Sequence, residues 1–306
     1  KASAGEGAIS VELGDGHYIA GGSDGVAVWF SGGRTNSLMN RGTILTADGV
    51  DGLAGLSDQA TTTIDNYGVL AGDVSLTWGA NRFFNRADAL FAAGASVDLG
   101  GGLLANDGLF APGGMQRAGF VAVNVRFEQS ATGSTLAEID FAADASDRVV
   151  AYDGMDLAGT IDLSLFNVGD IGIGRFRKIL FESAVGIIDS GITLETAPSA
   201  VVDYSLDVGD QTVGVDYTVD FAPEGLGDNL TAIGDYVNRG QIAGGGNAAY
   251  DLLITRLVYD PDLASYGESL SQLSPEFYAD HQLQLIGASI DFTERLMSCR
   301  QLGGEF

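Results

Sequence analysis

The chain has 306 residues, 45% of them hydrophobic, with 45 glycines and only 5 prolines. That is long and apolar enough for a sizeable core and excludes a disordered chain. Its 41 acidic against 15 basic residues give a formal charge of -26 and a pI near 4.1, which argues against nucleic acid and anionic membrane surfaces as partners.

One cysteine, Cys299, excludes an internal disulfide framework, and two histidines, His17 and His281, leave little for transition-metal chemistry. No stretch approaches the roughly 18 consecutive apolar residues of a spanning helix. Residues 1–5 hold no apolar core of a signal peptide, so the chain is expected to start within a longer protein or after processing.

Taken in order, residues 8–13, 18–20 and 26–30 read as short strands separated by Gly14-Asp15-Gly16 and by the run from Gly21 to Gly25. A repeat then emerges. Asn40-Arg41-Gly42, Asn66-Tyr67-Gly68, Asn85-Arg86-Ala87 and Asn106-Asp107-Gly108 each follow one apolar run and precede another, at intervals of 26, 19 and 21 residues. Runs of two to four apolar residues cannot form a core alone, so each copy is expected to stack on the next, as parallel strands in a solenoid. The Asn is expected at a corner, where it tolerates left-handed backbone and its amide hydrogen-bonds the same group one coil away. Residues 60–64 are Thr-rich, which suits polar columns inside such a rod.

Ala111-Pro112-Gly113-Gly114 breaks the pattern, and longer strands follow over residues 120–127, 135–141, 147–152, 160–166 and 175–181. Ile161, Leu163 and Leu165 alternate with Asp162 and Ser164, the pattern of a half-buried strand. Residues 206–208 and 213–219 flank Gly209-Asp210 as a hairpin that would cover the open last coil. Beyond residue 225 the spacing turns helical over 230–237, 248–258 and 262–273. Ser274 is placed as an N-cap with Pro275 at the first helical position, opening a helix with Leu283, Ile286, Ile290 and Met297 on one side and a stop at Gly303-Gly304.

Candidate chemistry is sparse. His17 lies near Asp15 and could join Ser10 or Ser23 in a triad, but Gly14-Asp15-Gly16-His17-Tyr18 reads equally as a solvated turn, and no G-x-S-x-G element supplies a nucleophile with its oxyanion donors. Asp144, Asp147, Asp153 and Asp156 crowd one region; they read either as a glycosidase-type carboxylate pair or, with the greater weight, as solvated turn residues. Residues 21–28 resemble a calcium-binding nonapeptide with Asp24 and Gly25 out of register. His281 has no second His or Cys at i+4 and reads as a solvated or packing residue. Cys299 reads as packed, with an arginine beside it that would lower a thiol pKa. Trp29, Trp78, Tyr18 and Phe30 read as core before recognition surface. The expectation is therefore no catalytic, cofactor-binding or metal-binding residues and no cofactor.

The order of features resembles the passenger of a Gram-negative autotransporter, the type V secretion family, near its junction with the outer-membrane barrel. The resemblance rests on the N-x-G coils, on the stretch from Leu104 to Gly114, on residues 134–141 followed by 147–154 and 158–163, and on residues 270–279, LSQLSPEFYA. It covers about two thirds of the chain from Leu104 onward; the first hundred residues match in style only. The alternating strands of about ten residues expected of a membrane barrel do not follow before Phe306.

The resemblance implies a mainly β fold, a right-handed parallel β-helix with a C-terminal hairpin cap and a short helical segment. It divides the chain into coils over 1–125, a C-terminal β-helix with an autochaperone-like cap over 126–222, and a helical linker over 223–306. It implies a non-enzymatic cell-surface stalk, exported across the outer membrane, whose partners are an outer-membrane β-barrel translocator and a host or neighbouring-cell surface to which it adheres. Two other classes stand beside it: a β-helix polysaccharide-degrading enzyme, which would need convergent carboxylates in a cleft, and a calcium-stabilised surface-layer type protein.

Overall fold

The structure, a computed structural model, describes residues 1–5 and 7–301. The fold is mainly β, and its strands belong to one long, mostly parallel sheet. The chain divides into two compact units, residues 1–197 with 203–218, and residues 198–202 with 219–306.

In the first unit the strands form three ladders. One joins Ile9–Leu13, Thr35–Asn40, Thr61–Asn66, Arg82–Asn85, Leu103–Asn106 and Arg126–Gln129, and ends on Met155 and Ile187. A second joins Tyr18–Gly21 and Thr43–Thr46 to the first halves of Val69–Leu76 and Leu90–Asp98, then Leu109–Pro112, Ser134–Asp140 and the second half of Met155–Phe166. The third runs from Ala2–Ala4 and Val26–Gly32 through Leu53–Ser57 to Phe120–Val123, Arg148–Ala151 and Phe181. Pairing is therefore continuous across residue 125.

Each strand buries alternate side chains, so parallel register stacks like on like. Leu38, Ile64, Phe83, Leu104 and Phe127 form one buried column, and Ile44, Leu70, Phe91 and Phe110 another. The rings of Phe83, Phe91, Phe110 and Phe127 follow one another at 4.5, 5.5 and 5.3 Å, within the range of attractive offset contacts.

The repeated asparagines also line up. Asn40 donates to Asn66 Oδ1 at 2.7 Å, Asn66 to Asn85 at 2.8 Å, Asn85 to Asn106 at 2.8 Å and Asn106 to Gln129 Oε1 at 3.0 Å. The second amide hydrogen of each goes to a backbone carbonyl, of Val69, Leu90, Leu109 and Ser134 in turn. All five side chains are buried, so the ladder satisfies polar groups that would otherwise be orphaned inside the unit.

The backbone at these corners differs from expectation. None of the four asparagines has positive φ, and neither do Gly42, Gly68 and Gly108. What demands glycine there is proximity: a Cβ on Gly42 would lie 2.1 Å from His17 O, and one on Gly68 2.2 Å from Gly42 O. The left-handed residue is Asp88, at φ 64°, in the repeat that carries Ala87 and two extra residues between its Asn and the next strand.

After Gly174–Glu182 and Ile187–Glu195, strands Val202–Val208 and Thr212–Val219 flank a turn in which Gly209 N–H donates to Thr212 O at 2.9 Å. The turn lies against the preceding strands through Ser183 N–H to Gln211 O and Ile187 N–H to Asp210 O.

The second unit holds four helices, α1 (Asp228–Ile242), α2 (Ala248–Val258), α3 (Leu263–Ser271) and α4 (Pro275–Gln301). Asn247 caps α2 by accepting from Ala249 and Tyr250 N–H, and Asp262 caps α3 by accepting from Ser265 N–H. Tyr266 is fully buried and donates its hydroxyl to Phe221 O at 2.5 Å, while Gly234 lets α1 close on the same carbonyl. The expected stop at Gly303-Gly304 lies outside the described residues.

Candidate functional site

The residues singled out from the sequence do not converge. His17 is exposed and its Nδ1 meets the backbone oxygen of Asp15 at 3.0 Å, whereas Ser10 pairs with Ser37 and Ser23 donates to Asp48 at 2.6 Å. Asp24 sits in a left-handed turn and gives its N–H to Asp48. Among the described residues no three His, Cys, Asp or Glu side chains are grouped to hold a metal ion. The aromatic set divides: Phe30 is buried, Trp29 is half-buried under Lys1, and Tyr18 and Trp78 are exposed. The side chains of His281 and Cys299 lie outside the described residues.

The acidic region also divides, and here one expectation is corrected. Asp144 is exposed and paired with Lys178 at 2.6 Å, which holds its carboxyl below the usual range. Asp156 accepts from Ser190. Asp147 is not a solvated turn residue; it is 2% exposed and accepts from Gly119 N–H at 2.6 Å and Glu138 N–H at 2.9 Å. Burial pushes its carboxyl up to about 8, against the pull of those two amides.

Its neighbour Glu138 was not foreseen. Strand alternation puts Glu138 on the outer face of Ser134–Asp140, opposite buried Ala137 and Ile139, yet it is itself 2% exposed. The loop 113–119 covers it, and Glu138 accepts from Gln116 N–H at 2.7 Å and Arg117 N–H at 2.9 Å. That loop can fold back because Gly113 and Gly119 meet face to face, where a Cβ on Gly119 would come within 2.4 Å of Gly113 Cα. The signal available in the sequence was the cluster of glycines at Gly113, Gly114 and Gly119 around Met115, Gln116, Arg117 and Ala118.

The same loop reaches along the sheet. Arg117 forms a bidentate pair with Asp51, both bonds at 2.9 Å and 66 residues apart in the chain, and Gly114 packs on Val50. Asp51 is held below the usual carboxylate range by that guanidinium. Between residues 47–52 and this loop, strands Val69–Leu76 and Leu90–Asp98 shift register beside Asp73 and Gly94, where Asp73 accepts from Ser96 N–H at 2.8 Å and burial raises its carboxyl. The outer face beneath carries Ala71, Ala92 and Ala111 in register, residues small enough to let the loops lie down.

In the second unit, Ala232, Ile233, Tyr236, Tyr250, Leu253 and Leu273 line an open cavity of about 610 Å³. Its lining is mostly apolar, with Asn229 and Ser274 also on it, and Tyr250 gives its hydroxyl to Val237 O. On α4, Leu283, Ile286, Ile290 and Met297 are exposed, together with Leu285, Phe292 and Leu296. No helix is long and apolar enough to cross a membrane among the described residues. Among the described residues both places offer apolar contact, and neither groups side chains that could hold a metal ion.

No known family model matches the chain, and no curated protein matches it.

Proposed function

We propose that the three ladders wind as a right-handed parallel β-helix and that the chain is the C-terminal part of an autotransporter passenger. In this reading residues 1–222 are coils ending in an autochaperone-like cap, and residues 223–306 are a linker toward an outer-membrane β-barrel translocator. The protein acts without catalysis as an exported stalk on the surface of a Gram-negative cell, displaying further modules or adhering to a host or neighbouring cell.

The observation that carries the reading is the buried Asn40-Asn66-Asn85-Asn106-Gln129 ladder in register with three parallel ladders of strands. Such stacking makes a stiff repetitive scaffold whose stability is a sum of neighbour contacts. The dispersal of His17, Ser10, Ser23, Asp144, Asp147 and Asp156 into separate local bonds favours the scaffold over the polysaccharide-degrading class.

Intact mass and terminal sequencing of the polypeptide on, or shed from, the producing cell test it. A polypeptide that continues into, or co-purifies with, an outer-membrane barrel supports the reading. A soluble product with neither would overturn it.

A further inference from the structure

The loop 113–119 is held by two buried carboxylates that form no ion pair among the described residues. Glu138 takes the amides of Gln116 and Arg117, and Asp147 takes that of Gly119 together with Glu138's own N–H. The cations of the surrounding segments are engaged elsewhere: Arg117 with Asp51, Arg148 with Glu182 and Lys178 with Asp144. The other acids nearby, Asp140 and Asp162, add to the negative field; Asp140 is tied to the Ala142 and Ala143 amides and Asn167, and Asp162 sits across from Leu136.

Buried charge without a counter-ion is costly, and only aimed backbone dipoles offset it here. Lifting the loop would let water reach both carboxylates. It would also remove Gly119 N–H from Asp147 and free Arg117 from its anchored backbone. Losing that amide favours the proton in the open state, but losing the burial favours the anion there by more, because burial outweighs the amides at the Asp147 carboxyl; the closed loop therefore binds a proton at Asp147 more tightly than the open one. A group that binds protons more tightly in one state favours that state in acid, and the preference fades as pH rises through the higher pKa.

We propose that Glu138 and Asp147 form a proton-sensitive clasp on the loop 113–119, closed while Asp147 carries a proton and opened when that proton passes to solvent, and that opening releases the Arg117–Asp51 brace. The proton exchanged is the one on Asp147. Glu138 positions the loop apex, and Arg117 transmits the change along the sheet to residues 47–52.

Hydrogen exchange of the Gln116, Arg117 and Gly119 amides in the full chain, corrected for intrinsic rates, tests this between pH 5 and 9. Protection should fall by up to about tenfold per pH unit below pH 8, the one-proton limit, with Asp147→Asn abolishing the slope. Glu138→Gln should lower protection at Gln116 and Arg117 and keep the slope. A flat profile in the unaltered protein, or the same slope in Asp147→Asn, overturns the proposal. Should Asp147→Asn not fold, the carboxyl carbon shift of Asp147 in the unaltered protein decides: a midpoint well above the usual carboxylate range supports the clasp, and one near 4 overturns it.

Discussion

Asn85 stands between two neighbours of its own kind, accepting at Oδ1 from Asn66 at 2.8 Å and donating to Asn106 Oδ1 at 2.8 Å, with its second hydrogen on Leu109 O. Replacing it by alanine strands a buried amide of Asn66 and a carbonyl oxygen of Asn106. Asn85→Ala should destabilise the first unit by about 2–4 kcal/mol, since unsatisfied buried partners cost more than the bond itself is worth. Denaturant unfolding followed by circular dichroism checks the magnitude; a loss below about 0.5 kcal/mol would assign the ladder no structural weight.

The corner glycines should tolerate nothing larger. A Cβ on Gly68 meets Gly42 O at 2.2 Å and the Arg41 carbonyl carbon at 2.8 Å, both backbone atoms, whereas one on Gly22 meets nothing within 4 Å. Gly68→Ala should cost at least the roughly 1–3 kcal/mol of an overpacked site, and Gly22→Ala close to nothing. Melting temperatures of the two variants measured side by side separate close approach from a general intolerance of turns.

Stability should be greatest in mild acid. Asp147 has its folded pKa raised to about 8, so the folded state holds a proton that the unfolded state releases, and stability falls as pH climbs from about 4 to 8. Asp48, Asp51, Asp140, Asp144 and Asp262 are shifted the other way, by Ser23, Arg117, Asn167, Lys178 and the Ser265 amide respectively, and their contribution is lost as pH falls below the usual carboxylate pKa. The two trends meet near pH 4–5, and the high net negative charge adds to the decline above it. Thermal unfolding from pH 3 to 9 should show this maximum, and Asp147→Asn should flatten its alkaline side. An unaltered alkaline limb in that variant would place the titration elsewhere.

Within the helical unit, Tyr266→Phe removes a hydroxyl buried on Phe221 O while keeping the ring. The carbonyl is left unpaired, and the unit should lose about 1–3 kcal/mol. Gly234→Ala, whose Cβ would lie 2.0 Å from the same oxygen, should lose more. Hydrogen exchange confined to residues 219–271 reads this out, because the ladders of the first unit have no share in that bond.

The periodic part of this protein is local information. Asn at intervals of 26, 19 and 21 residues, short apolar runs between them, alternation in 160–166 and the helical spacing of 248–258 are each set by a few neighbouring residues. A period of two or of 3.6 can be read without knowing what lies opposite. The Asn amide ladder and the bounds of α2 emerge where that reading puts them. Three features were decided only in three dimensions. The glycine at Gly68 answers to Gly42 O, 26 residues earlier, and not to its own backbone angle. Glu138 lies on the face that alternation marks for water and is dry because a loop 21 residues before it folds over that face. Arg117 finds Asp51 across 66 residues, a distance in sequence that depends on every intervening turn length. Pattern specifies which way a side chain faces; what covers it depends on register summed along the chain, and no window of the sequence contains that sum.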